Sequence, residues 1–180
     1  VDFKPSTGRN FKASITSNGI KLVENEMVSS LIKCDESCTL EFKSSLRWDY
    51  KRNEPNQKLA EPVLKTLVAF MNTEGGILLI GVDDNKKILG IENDFKDLKD
   101  WDHWQQTLVN YINDKIGKEF HEFIRIEKEE VDGKIVAKIN VKPSNKPVYL
   151  NKEFYIRAGN TSLKLKDDQI EEYIQNHYNS

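Results

Sequence analysis

The chain has 180 residues, of which 38% are hydrophobic and 31% charged, with a formal net charge of -2. This suits one domain with a short appendage. It excludes a generally basic nucleic-acid coat, so any such contact comes from a local patch. No apolar run approaches the roughly 20 residues of a membrane helix, and no membrane partner is expected.

Residues 1–23 carry turn chemistry in "KPSTGRN" and "TSNG" and read as an extended arm or linker; 24–180 read as the domain. In "NEMVSSLIKCDE", Met27, Val28, Leu31 and Ile32 have helical spacing, which predicts a short helix packed on a larger body. Cys34 and Cys38 are four apart and the three histidines are distant, so a zinc site is not expected. Two free thiols in a reducing, cytoplasmic compartment are expected instead.

"TLEFKSSL" alternates Leu40 and Phe42 with Glu41 and Lys43, which predicts a half-buried strand. "RWDYKRNEPNQ" reads as a polar, mobile connector. From about Lys58, residues Leu59, Val63, Leu67, Phe70 and Met71 mark an amphipathic helix, with Pro62 tolerated near its start. "NTEGG" then ends that helix, Ile77–Val82 reads as a strand buried on both faces, "DDNKK" as a turn and "ILGI" as its hairpin partner.

"WDHWQQTLVNYINDKIG" predicts a second long helix, with Trp101, Trp104, Leu108, Tyr111 and Ile112 on one face. "EFIRIEKEEV" and "KIVAKINVK" flank Asp132-Gly133, the clearest hairpin signal in the chain. "PVYLNKEFYIRAGN" reads as another hairpin and "DDQIEEYIQNHY" as an acid-capped terminal helix. The expected fold class is α+β: a mixed or antiparallel sheet with several hairpins packed against amphipathic helices.

The Gly75-Gly76 pair invites comparison with phosphate loops. Those loops run strand, glycines, helix, and a Walker loop closes on Lys then Ser or Thr. Here the order is helix, glycines, strand, and "GK[ST]" is absent. The pair is expected to be structural, and no nucleotide cofactor is expected.

Three segments taken together, "ESCTLEFK" at 36–43, "LVAFMNTEGGILLIGVDDN" at 67–85 with "ILGI" behind it, and "FYIRAGNTSLKLKDDQIEEYI" at 154–174, resemble the Schlafen AlbA-like domain family over about residues 24–178. The resemblance implies an AlbA-like α+β fold and nucleic-acid binding. In family members that cut transfer RNA it implies two glutamates and an aspartate as a metal-dependent site, matching Glu36, Glu41 and Asp83, with Lys43 beside them as a catalytic lysine. Mg²⁺ or Mn²⁺ is the implied cofactor. An older description of the family as divergent ATPases implies a regulatory alternative.

The residues have their own chemistry. A hard divalent cation takes clustered carboxylate oxygens, and a lysine offsets charge on a scissile phosphodiester. Glu41 and Lys43, two apart on a strand, share a face. Glu41 and Lys43 read equally as an exposed ion pair, Glu36 as a residue that caps or solvates a turn, and Asp83 as a turn residue. Separately, Lys43, Arg47, Lys51 and Arg52 lie within ten residues of one another, interleaved with Trp48 and Tyr50. That mixture of cations and aromatic rings suits nucleic acid. Arg157, ahead of "AGNTS", adds a candidate anion contact at a strand end, or equally reads as an arginine paired with a carboxylate. The leading expectation is an RNA- or DNA-binding module, part of a larger defence or regulatory protein. The alternatives are a metal-dependent endoribonuclease acting on structured RNA, and an oligomerising or ATP-sensing regulatory domain.

Overall fold

The computed structural model describes residues 26–178 and, before them, the backbone of β1 (Ile15–Thr16) and β2 (Gly19–Ile20), which pair antiparallel. The rest of the expected arm lies outside the described residues. In chain order there follow α1 (Val28–Leu31), β3 (Leu40–Lys43), β4 (Trp48–Asp49) and β5 (Glu54–Pro55). A 3-10 turn leads into α2 (Ala60–Met71), then β6 (Gly76–Ile80), α3 (Phe95–Leu98) and α4 (Trp101–Lys115). The chain closes with β7 (Ile124–Val131), β8 (Lys134–Val141), β9 (Tyr149–Leu150), β10 (Glu153–Ala158), β11 (Thr161–Lys164) and α5 (Asp167–Tyr178).

The main sheet has the order β3-β6-β8-β7. β3 and β6 are parallel and the other pairs antiparallel. A parallel pair needs a crossover, and α2 supplies it. A second sheet has the order β11-β10-β9. The class is α+β with a mixed sheet and antiparallel hairpins, as the alternation of elements predicts.

The period of two assigns the two faces of the main sheet. Leu78, Ile80, Ala137 and Ile139 face α2 and α4 in the larger core with Leu64, Leu67, Val68, Trp104, Leu108 and Ile112. Leu40, Phe42, Ile77, Leu79 and Val136 face the other way and pack on Val28 and Leu31 of α1. That small helix is tied down where the Val28 N–H donates to Glu129 Oε1 at 2.9 Å.

The β7–β8 and β9–β10 hairpins each close through two consecutive left-handed residues: Asp132 (φ 52°) and Gly133 (φ 71°), then Asn151 (φ 48°) and Lys152 (φ 70°). This turn matches the strand twist. Two expectations need correction, and one strand is missed. "ILGI" forms no strand, only a bridge from Val82 to Ile88, because β6 already has β3 and β8 on its two edges. "RWDYKRNEPNQ" is not a loose connector but contains the β4–β5 hairpin. "TSLK", read only within the family resemblance, is β11, paired along β10 from Tyr155↔Lys164 to Ala158↔Thr161.

The glycine pair divides its work. Gly75 carries the left-handed angle (φ +76°), and a Cβ there would lie 2.4 Å from Val141 O. Gly76 is the first residue of β6; a Cβ there would lie 2.7 Å from Thr39 O and 2.8 Å from the Phe70 ring. The space beside both glycines is filled by protein, so the pair offers no phosphate cradle. Gly76→Ala is expected to cost about 1–3 kcal/mol through overpacking, read as a lower urea midpoint. An unchanged midpoint would contradict the close approach.

Candidate functional site

Glu41 and Lys43 share the α2-facing side of β3, as the strand period requires, and form an ion pair. Glu41 is not half-exposed: it is 7% exposed, because Arg157 of β10 reaches across to it. Arg157 Nη2 donates to Glu41 Oε2 at 2.9 Å and to Ser37 O at 2.6 Å, Nη1 donates to Ser162 Oγ at 3.3 Å, and the guanidinium lies 5.0 Å from the Phe70 ring centroid. The Arg157 side chain is 1% exposed. Arg157 therefore ties the second sheet to the first and is not a surface phosphate contact in this conformation.

Glu36 and Asp83 are engaged elsewhere. Glu36 Oε1 accepts the Phe42 N–H at 2.8 Å, capping a donor on the open edge of β3. Asp83 Oδ1 accepts the N–H groups of Asn85 at 2.9 Å and Lys87 at 2.8 Å, closing the turn after β6. β3 and β6 are neighbours, as a shared site between Glu41 and Asp83 would require. Yet among the described residues no three His, Cys, Asp or Glu side chains form a group that could hold a metal ion. Glu41, with one oxygen on a lysine and the other on an arginine, does not fit a shared Mg²⁺ or Mn²⁺. Cys34 and Cys38 are free and exposed.

The expected basic patch is rearranged by one residue that the sequence does not single out. Asp94 is 0% exposed. Its Oδ1 accepts the N–H groups of Arg47 (2.9 Å) and Trp48 (2.8 Å), and its Oδ2 those of Leu46 (2.9 Å) and the Trp104 indole (2.8 Å). Burial pushes the carboxyl above its ordinary range, against the pull of the four donors. Asp94 thus nails the root of the β4–β5 hairpin to the core. Five acidic residues lie between 92 and 102 in the sequence, and nothing local distinguishes this one.

With the root held, Trp48 is buried at 6% exposure, with Lys96 Nζ 4.5 Å from its ring centroid. It is a core residue and not a stacking platform. Arg47 pairs with Asp97 at 2.6 Å. The hairpin tip differs. Tyr50 is 38% exposed, and Lys51 and Arg52 are exposed. The tip is also ordered from within: Asp49 Oδ1 accepts the N–H groups of Lys51 (3.0 Å) and Arg52 (3.1 Å). Those bonds, the Arg52 N–H first, hold the Asp49 carboxyl below its usual range.

A family model described as Schlafen, AlbA_2 matches residues 36–166. The chain belongs to this Schlafen AlbA_2 family. Its fold is similar to that of the DIP2311 protein from Corynebacterium diphtheriae, with TM-score 0.58 and 20% identity over 83% of this chain. The AlbA_2 chain spans 31% of that protein's length. The N-terminal domain of a RecG-related protein from Nitrosomonas europaea gives TM-score 0.47 and 23% identity, over 68% of this chain and 76% of the other. No curated protein matches. Among the described residues no helix is long and apolar enough to cross a membrane.

Proposed function

We propose that this AlbA_2 domain binds nucleic acid, RNA or DNA, and that the β4–β5 tip is a contact surface. The observation that carries the proposal is the exposure of Tyr50, Lys51 and Arg52 together on a hairpin whose root is buried around Asp94. Lysine and arginine supply sequence-independent phosphate contacts, and an exposed aromatic ring supplies a face for a base. A tip already ordered by Asp49 loses little conformational freedom on binding. Family membership supports the same reading. Cleavage is not part of the proposal, because Glu41 is engaged by Arg157 and Lys43.

Replacing Tyr50, Lys51 and Arg52 together by Ala is expected to weaken binding about tenfold at low salt. It should lower the slope of log affinity against log salt by about one for each phosphate that is no longer neutralised. Fluorescence anisotropy with labelled transfer RNA, single-stranded RNA and duplex DNA reads both quantities. Parallel incubations with Mg²⁺, Mn²⁺ or EDTA read cleavage of the same probes. Unchanged affinity and slope in the triple variant would reject the tip as a contact surface.

A further inference from the structure

The end of the molecule where β6 begins carries a second aromatic group that the hairpin reading does not use. Asn72, at the end of α2, is fully buried and organises it. Its amide donates to Val148 O (2.8 Å) and Tyr155 O (2.9 Å), and its Oδ1 accepts the Val148 N–H and the Tyr178 hydroxyl, both at 2.9 Å. Its backbone carbonyl accepts the Tyr173 hydroxyl at 2.5 Å. Val148 just before β9, Tyr155 of β10 and the second half of α5 are therefore held on one residue.

The result is a chain of rings. Tyr149 meets Phe154 edge-on at 5.2 Å, Phe154 meets Tyr173 at 5.7 Å, and Tyr173 stacks on His177 at 5.0 Å with an interplanar angle of 20°. Tyr149, 37% exposed, and His177 open to solvent. Cations lie beside them. Lys152 sits in the two-residue turn directly after β9 and is exposed. Lys115 ends α4, and its carbonyl accepts the Asn151 N–H at 3.1 Å, placing that lysine next to the same turn. Lys146, in the loop between Ser144 and Val148, is turned to another ring: its Nζ lies 5.0 Å from the Phe120 centroid. The acids of α5, from Asp167 to Glu172, belong to the first half of the helix, whereas His177 is in its last turn.

We infer that Tyr149 and His177, flanked by Lys115 and Lys152, form a second contact surface for single-stranded nucleic acid, with unpaired bases on the rings and phosphates on the lysines. The inference rests on the nucleic-acid reading above and adds a substrate class to it. Duplex bases are stacked on each other and present no free face, whereas ring platforms beside cations take single strands with little regard to sequence. This surface and the hairpin tip lie toward opposite ends of β6.

The test uses the full chain with labelled oligouridylate and oligothymidylate of about 15 nucleotides, and a duplex of the same length, read by anisotropy. Tyr149→Ala with His177→Ala is expected to weaken single-strand binding about tenfold and leave duplex binding unchanged; Tyr149→Phe, which keeps the ring, retains wild-type affinity. Lys115→Glu with Lys152→Glu, at two exposed positions, reproduces the loss without touching a ring, and decides the matter if the aromatic variant melts early. Wild-type affinity for single strands in a folded aromatic variant, or in the lysine variant, overturns the inference. Loss of binding in the hairpin variant alone overturns this surface and leaves the nucleic-acid reading standing. A wild-type chain that binds none of the three probes overturns both.

Discussion

Asp94→Ala is expected to destabilise the domain by at least about 4 kcal/mol, enough to unfold it or leave it marginal. The substitution strips acceptors from four buried donors at once: the N–H groups of Leu46, Arg47 and Trp48 and the indole of Trp104. Each buried donor left without a partner costs roughly 1–3 kcal/mol, and water reaches only some of them after relaxation. Asp94→Asn retains the shape but turns one oxygen, which accepts two bonds, into a donor facing donors. It is therefore expected to recover only part of the loss. Urea unfolding followed by circular dichroism measures all three proteins. An alanine variant within about 1 kcal/mol of wild type would show that the hairpin root does not depend on this carboxylate. Under the proposed function, any folded fraction should also bind nucleic acid more weakly, because the tip loses its fixed base.

The second large effect concerns Glu41. Glu41→Ala is expected to cost about 3–5 kcal/mol, because it leaves the Arg157 guanidinium buried with no carboxylate. Arg157→Ala should cost less, since Lys43 still pairs with Glu41 at a partly exposed site. Glu41→Leu combined with Arg157→Met should restore most of the loss, as a buried pair is often replaceable by packed apolar groups. This double variant separates two roles for Glu41. If Glu41 serves only as the counter-ion of a buried guanidinium, the double variant is stable. If the double variant is as unstable as Glu41→Ala, the charged pair and the bonds of Arg157 to Ser37 and Ser162 are themselves what hold the two sheets together.

Much of this architecture is legible in local pattern. The α2 and α4 helices are written in apolar spacing, from Val63 to Met71 and from Trp104 to Ile112, because one helical stripe has to face the core. The β7–β8 hairpin is written in Asp132-Gly133, because few residue pairs accept two left-handed angles in succession. The segment from Leu67 to Asn85, with "ESCTLEFK" before it, carries the family likeness, and the fold follows from it. The rule that residues two apart on a strand share a face also places Glu41 beside Lys43 correctly.

What local pattern does not carry is who meets whom across the chain. Arg157 lies 116 residues after Glu41, and neither residue announces the other; only the docking of β10 on α2 and β3 makes them a buried pair in place of two surface charges. Trp48 looks like a stacking ring among cations until Asp94, 46 residues later, draws its backbone into the core. Lys51 and Arg52, three and four residues beyond Trp48, remain outside because Asp49 turns the chain there. Composition and spacing determine the elements and the kind of chemistry available. Burial determines which charges stay in water to meet a ligand, and burial is a property of the packed whole.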